Sequence, residues 1–133
     1  MNAKGFARPE LLITPEELES WLADGTRRPP LIIDLRPAEQ FAAGQIAGAV
    51  HLDLWGVSLI DTDPAPLRAF FWMIEHQFAL RGVSEDRAVV VYDEQSGVRA
   101  ARGFWFLEYF GHPDVRLLDG GFGAWTREHR PVS

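Results

Sequence analysis

Ala88-Val89-Val90-Val91-Tyr92, followed by Asp93-Glu94-Gln95-Ser96-Gly97-Val98-Arg99, decides the architecture of this chain. Consecutive β-branched residues leave no polar face, the pattern of a strand covered on both sides in the middle of a parallel sheet. Leu31-Ile32-Ile33-Asp34-Leu35 repeats the pattern and ends on an acidic group. Leu11-Leu12-Ile13, Ala49-Val50-His51-Leu52 and Val115-Arg116-Leu117-Leu118 supply three shorter strands.

Helical patterns lie between these runs. Thr14-Pro15-Glu16-Glu17 is a capping box with proline at the first helical position, ahead of an apolar stripe of Leu18, Trp21 and Leu22 and a stop at Gly25. A short helix is predicted from Pro37 to Ala43, closed by Gly44, and a loop from Asp53 to Pro66. Leu67, Phe70, Phe71, Ile74 and Phe78 share one helix face that ends at Gly82. A further helix carries Ala101, Phe104, Trp105 and Leu107 as far as Gly111, and a last one surrounds Trp125.

Strands alternating with helices imply an α/β domain. The expectation is a five-stranded parallel sheet with right-handed crossovers and helices on both faces. Ligands of such folds bind beyond the carboxyl ends of the strands. The turns after Leu35, Tyr92 and Leu118 are therefore the places for chemistry.

The 133 residues suit one globular domain, and 47% hydrophobic with 12% aromatic content speaks against disorder. No apolar run reaches the roughly 18–20 residues that span a bilayer. Residues 1–10 lack the apolar core of a secretory signal and read as a loose arm, so a cytoplasmic location is expected. The domain is expected over 11–129, with 130–133 as a tail or the start of an interdomain linker. A net charge of −6 and a pI near 5.1 argue against nucleic acid or an anionic membrane as partner. There is no cysteine, which removes disulfides, thiolate metal sites and any thiol nucleophile.

The stretch Asp93, Glu94, Gln95, Ser96, Gly97, Val98, Arg99 runs from a strand into a helix, where backbone N–H groups and the positive helix end favour an anion. The place of a nucleophile at its start is held by acids. Either they cap the helix, at roughly 0.3–1 kcal/mol each, or a carboxylate fills the cradle that a substrate anion would otherwise occupy. Asp34, Arg36 and Glu39 flank a strand end and read as an ion-pair network holding a strand–helix corner. His51, His76, His112 and His129 are scattered and form no pattern of convergent zinc ligands. Thr126 stands where a dinucleotide fingerprint through Gly120, Gly121 and Gly123 needs a glycine. Neither a phosphate loop nor a nucleophile-elbow serine is present, and no cofactor is expected.

Three stretches in order resemble the rhodanese family, over about residues 11–129. Ile32-Ile33-Asp34-Leu35-Arg36 with Glu39, Gly44, Ile46, Gly48 and Ala49 is similar to its first signature. Val90-Val91-Tyr92-Asp93 with Ala100-Ala101-Arg102, Trp105 and Gly111-His112 resembles the central segment of the N-terminal halves of two-domain thiosulfate or 3-mercaptopyruvate sulfurtransferases. Leu117-Leu118-Asp119-Gly120-Gly121 with Ala124-Trp125 is similar to the closing signature. The resemblance implies a fold of three layers and a sulfane-sulfur transferase whose active domain carries a persulfide on a cysteine at the start of the loop after the central strand. Asp93 stands at that place here, as is usual in the non-catalytic halves, and the loop to Ala100 is one residue longer than the common active loop. Gln45 and Ala47 occupy positions where the first signature usually has His and Pro.

The resemblance thus implies a non-catalytic domain that covers a C-terminal catalytic rhodanese domain in cis and helps exclude water from it. Trp55 and Trp72 are candidates for the docking face. The alternative is a free-standing binding or regulatory module that acts on another protein. An independent enzyme using Asp93 is the least favoured reading.

Overall fold

The computed structural model describes residues 11–54 and 63–133. The chain alternates β1 (Leu12–Ile13), α1 (Pro15–Ala23), β2 (Leu31–Asp34), α2 (Ala38–Ala43), β3 (Val50–His51), α3 (Pro64–Leu80), β4 (Val89–Tyr92), α4 (Val98–Tyr109), β5 (Val115–Leu118) and α5 (Gly121–Arg127). The strands form one sheet in the order β1-β5-β4-β2-β3, and every pairing is parallel.

Side chains alternate across a strand, so an uninterrupted apolar run serves two cores. Leu31, Ile33, Val89 and Val91 pack under Ile74 and Phe78 of α3 and Phe106 and Leu107 of α4. Ile32, Val90 and Tyr92 face the other way, onto Leu18 and Trp21 of α1 and Trp125 of α5. Each fully buried aliphatic or aromatic side chain contributes about 1.5–3 kcal/mol. Helices on both sheet faces make the three layers expected from the sequence.

The capping box is formed: Thr14 Oγ1 accepts from Glu17 N at 3.1 Å and Glu17 Oε1 from Thr14 N at 2.9 Å. α3 begins at Pro64, inside the stretch expected to be loop. Pro64 and Pro66 lie in its first turn, where no backbone N–H has an intrahelical partner and proline loses nothing. The rest of that expected loop, 55–62 with Trp55, lies outside the described residues. α4 buries Ala100, Gly103, Phe106 and Leu107 and leaves Trp105 on the surface.

The C-terminal residues do not trail away. Ile46 and Val132 form an antiparallel bridge. Gln45 N donates to Ser133 O at 3.2 Å, Ser133 N to Gln45 O at 2.8 Å, and the Trp125 indole N–H to Pro131 O at 2.8 Å. Gln45 and Ala47, the two departures in the first signature, thus bond to this segment through their backbones. Among the described residues no helix is long and apolar enough to cross a membrane.

Candidate functional site

β2 and β4 are neighbours in register, with Asp34 beside Tyr92, so their carboxyl ends open onto one surface. Asp93 follows immediately and is buried, only 4% exposed. Its Oδ1 accepts from Gln95 N at 3.2 Å and Gly97 N at 2.8 Å, while Oδ2 accepts from Gly97 N at 3.0 Å and Ala100 N at 2.9 Å. Gln95 N of the loop and Gly97 N and Ala100 N at the start of α4 therefore converge on the protein's own carboxylate. Charge-assisted bonds of this kind are the strong class of hydrogen bond.

The loop is held from beneath by the start of α5. Phe122 N donates to Asp93 O and Gly123 N to Glu94 O, both at 2.8 Å. Such close approach leaves no room for a Cβ at Gly121, which would collide with the Asp93 carbonyl oxygen, and φ there is 62°. Ser96, also left-handed at φ 61°, donates its hydroxyl to Leu118 O at 3.0 Å and accepts from Gly120 N at 2.7 Å. The Asp119-Gly120-Gly121 turn is thus the floor of the Asp93 loop.

Beside the loop lies a buried polar cluster. Arg36 Nη2 reaches Asp34 Oδ2 at 2.7 Å and Gly44 O at 2.6 Å, and its Nε contacts both Asp34 oxygens at 3.1 Å. The Tyr92 hydroxyl donates to Asp34 Oδ2 at 2.6 Å and accepts from Ile46 N at 3.1 Å. The Arg36 guanidinium stacks over Phe122 at 3.9 Å from the ring centre. Burial pulls the Arg36 guanidinium down, but the hydrogen bonds and charge of Asp34 outweigh it and hold the group above its ordinary range. Burial, followed by the hydrogen bond to Asp34 and its charge, pushes the Tyr92 phenol far above its ordinary range.

Of the trio Asp34, Arg36 and Glu39, the structure joins only the first two. Glu39 is exposed on α2, and the second carboxylate beside Arg36 is that of Glu94, at 3.4 Å. Glu94 stands 58 residues away in sequence, so only the register of β2 against β4 brings it near. Tyr92 and Phe122, which are not among the residues expected from the sequence, complete the cluster. The one sequence signal for Tyr92 is its place at a strand end, matching that of Asp34.

A cavity of about 660 Å³ opens over the loop, lined by Arg36, Gln40, Asp93, Glu94, Gln95 and Arg99 among others. Both arginines are engaged, since Arg99 pairs with Asp53 at 2.9 Å. Val98 is 65% exposed at its rim. His51 Nε2 lies 2.7 Å from Arg36 O, His112 Nε2 lies 2.9 Å from Ser84 O, His76 stacks on Trp72, and His129 has φ 56° after α5. Among the described residues no group of three or more His, Cys, Asp or Glu could hold a metal ion. A small anion entering this cavity meets acceptors at Asp93 and Glu94, with the N–H groups of Gln95, Gly97 and Ala100 already taken.

The rhodanese-like domain model matches residues 14–128. The chain belongs to the rhodanese-like family. It is 34% identical over 136 residues to the sulfur carrier protein TtuD of Thermus thermophilus, a match that covers 97% of this chain and 44% of that protein. It is 35% identical over 130 residues to the thiosulfate sulfurtransferase of Azotobacter vinelandii, covering 96% and 46% respectively. The chain therefore spans less than half the length of these curated relatives. Among solved structures, SseA from Escherichia coli, reported for the "Rhodanese" fold and catalytic mechanism of 3-mercaptopyruvate sulfotransferases, superposes with a TM-score of 0.69. It is 27% identical, over 92% of this chain and 51% of that one. A rhodanese-related protein from Thermoplasma volcanium gives a TM-score of 0.65 at 16% identity and speaks to the fold alone.

Proposed function

We propose that this rhodanese domain is the non-catalytic half of a two-domain sulfurtransferase, the loop 93–99 being a vestigial active-site loop. The observation that carries the reading is the Asp93 carboxylate, seated on the N–H groups of Gln95, Gly97 and Ala100 where an active rhodanese domain would hold its cysteine persulfide. A chain with no cysteine has no thiol to carry a persulfide. Coverage of only 44–46% of TtuD and the Azotobacter enzyme supports a second domain that supplies one. The role of this domain is then to support and cover that partner, so that fixed dipoles act on the persulfide without competing water.

Two measurements test this. The purified chain, given thiosulfate and cyanide, is expected to form no thiocyanate above background, and turnover by it overturns the reading. The native protein, detected with an antibody against this domain, is expected near about 30 kDa, twice the 15.0 kDa of this chain and the mass of two typical domains. A native product near 15.0 kDa favours instead a binding module that acts on another protein.

A further inference from the structure

At the far end of the sheet, beside the amino ends of β4 and β5, a second cavity of about 360 Å³ lies between α3 and α4. Its floor is apolar, made by Phe78, Leu107 and Phe110. Trp72 and His76 form one wall, their rings stacked 5.0 Å apart at 7°. Trp72 is 64% exposed although it is the largest side chain on α3.

Apart from His76 and His112, the ionisable side chains lining this cavity are acidic. Glu75 and Glu85 line it, and no lysine or arginine does. Both carboxylates are exposed and make no hydrogen bond or ion pair with the described residues. The His112 ring is already used at both nitrogens: Nδ1 accepts from Asp114 N at 3.1 Å, which leaves the proton on Nε2, facing Ser84 O at 2.9 Å. No metal-holding group exists among the described residues, so these acids do not converge on a divalent ion.

We propose that this cavity binds a small organic cation of the alkylammonium class. The exposed Trp72 indole, stacked on His76 through one face only, has its other face to attract a cation, two carboxylates add charge complementarity, and the apolar floor receives the alkyl part. An anion would find no lysine or arginine there, and a purely apolar ligand would leave both carboxylates unused. The site is separate from the Asp93 loop, at the opposite end of β4, and does not depend on the sulfurtransferase reading.

The test uses choline and its uncharged carbon isostere 3,3-dimethylbutan-1-ol, followed in the whole chain at low salt through the backbone amide resonances of Ala79, Val83 and Leu107, which line the cavity. Saturable shifts with choline are expected, with the isostere at least about tenfold weaker. The exposed positions make Glu75→Gln with Glu85→Gln, and separately Trp72→Ala, safe for folding. Each is expected to weaken choline binding about fivefold or more. Absence of saturable shifts with choline overturns the proposal. Equal binding of the isostere, or unchanged affinity in the Glu75→Gln, Glu85→Gln protein, overturns it too.

Discussion

Tyr92 and Asp34 end neighbouring strands, and the Tyr92 hydroxyl donates to Asp34 Oδ2 at 2.6 Å inside the protein. The same carboxylate binds Arg36, 3% exposed, so three polar side chains share one buried site. An unpaired buried charge costs more than the pair contributes. Arg36→Met is therefore expected to destabilise the fold by about 3–5 kcal/mol. Adding Asp34→Ala should cost less than the sum of the two single changes by about 1 kcal/mol or more. Glu39→Gln, outside the cluster, should stay within about 0.5 kcal/mol. Urea midpoints for the unsubstituted chain and the four variants check this, and additive losses would show that the pair is not coupled.

The raised phenol of Tyr92 has a consequence at alkaline pH. In the unfolded chain a tyrosine ionises near about pH 10, whereas in the fold Tyr92 stays protonated well above that. The folded state then holds a proton that the unfolded state releases. Stability from this group is complete below about pH 10 and falls as pH rises beyond it, by up to about 1.4 kcal/mol per pH unit. The other tyrosine, Tyr109, is exposed, and Lys4 is the sole lysine, so few other groups titrate there. Tyr92→Phe is expected to be less stable at neutral pH, having lost bonds to Asp34 and Ile46, yet nearly flat over the same alkaline range. A parallel decline in the variant would assign the slope to another group.

The two continuous apolar strands and the Thr14 capping box were legible because their information is local: β-branched runs and four consecutive residues. The first turn of α3 was not, because Pro64 and Pro66 signal a loop equally well as a helix start. The polar cluster was half legible. Asp34 and Arg36 are two residues apart, but Glu94 and Tyr92 come to them from 58 residues away, which only strand register can deliver. The C-terminal residues read as a tail because proline and serine carry no pairing signal, whereas their carbonyls find Trp125 and Gln45. For the loop, the sequence left capping and cradle-filling as alternatives. The geometry combines them, since the Asp93 oxygens accept from Gly97 N and Ala100 N, the N-cap and third residue of α4.

That seating makes Asp93 replaceable by an external anion of the same chemistry. Asp93→Ala leaves the N–H groups of Gln95, Gly97 and Ala100 without their acceptor and is expected to cost about 2–3 kcal/mol. Formate, a free carboxylate, should restore part of the lost melting temperature in this variant and leave the unsubstituted chain unchanged, because binding to the folded state alone stabilises by mass action. Chloride at equal ionic strength serves as control. If formate and chloride act alike, the vacated loop does not bind a carboxylate.

Gly121 tests whether the start of α5 truly sets the Asp93 loop. At φ 62°, a methyl group would be strained and would press on the Asp93 carbonyl oxygen and the Glu94 backbone, neither of which can yield without moving the loop. Gly121→Ala is expected to cost about 2 kcal/mol or more. It should also shift the backbone resonances of Gln95, Gly97 and Ala100, the donors to the carboxylate. Gly25→Ala is the control: nothing lies within 4 Å of a Cβ there, and its φ is ordinary, so the change should stay within about 0.5 kcal/mol. Similar small losses for both, with the loop resonances undisturbed, would mean that the loop holds its shape through Asp93 alone and that the Asp119-Gly120-Gly121 turn is merely adjacent to it.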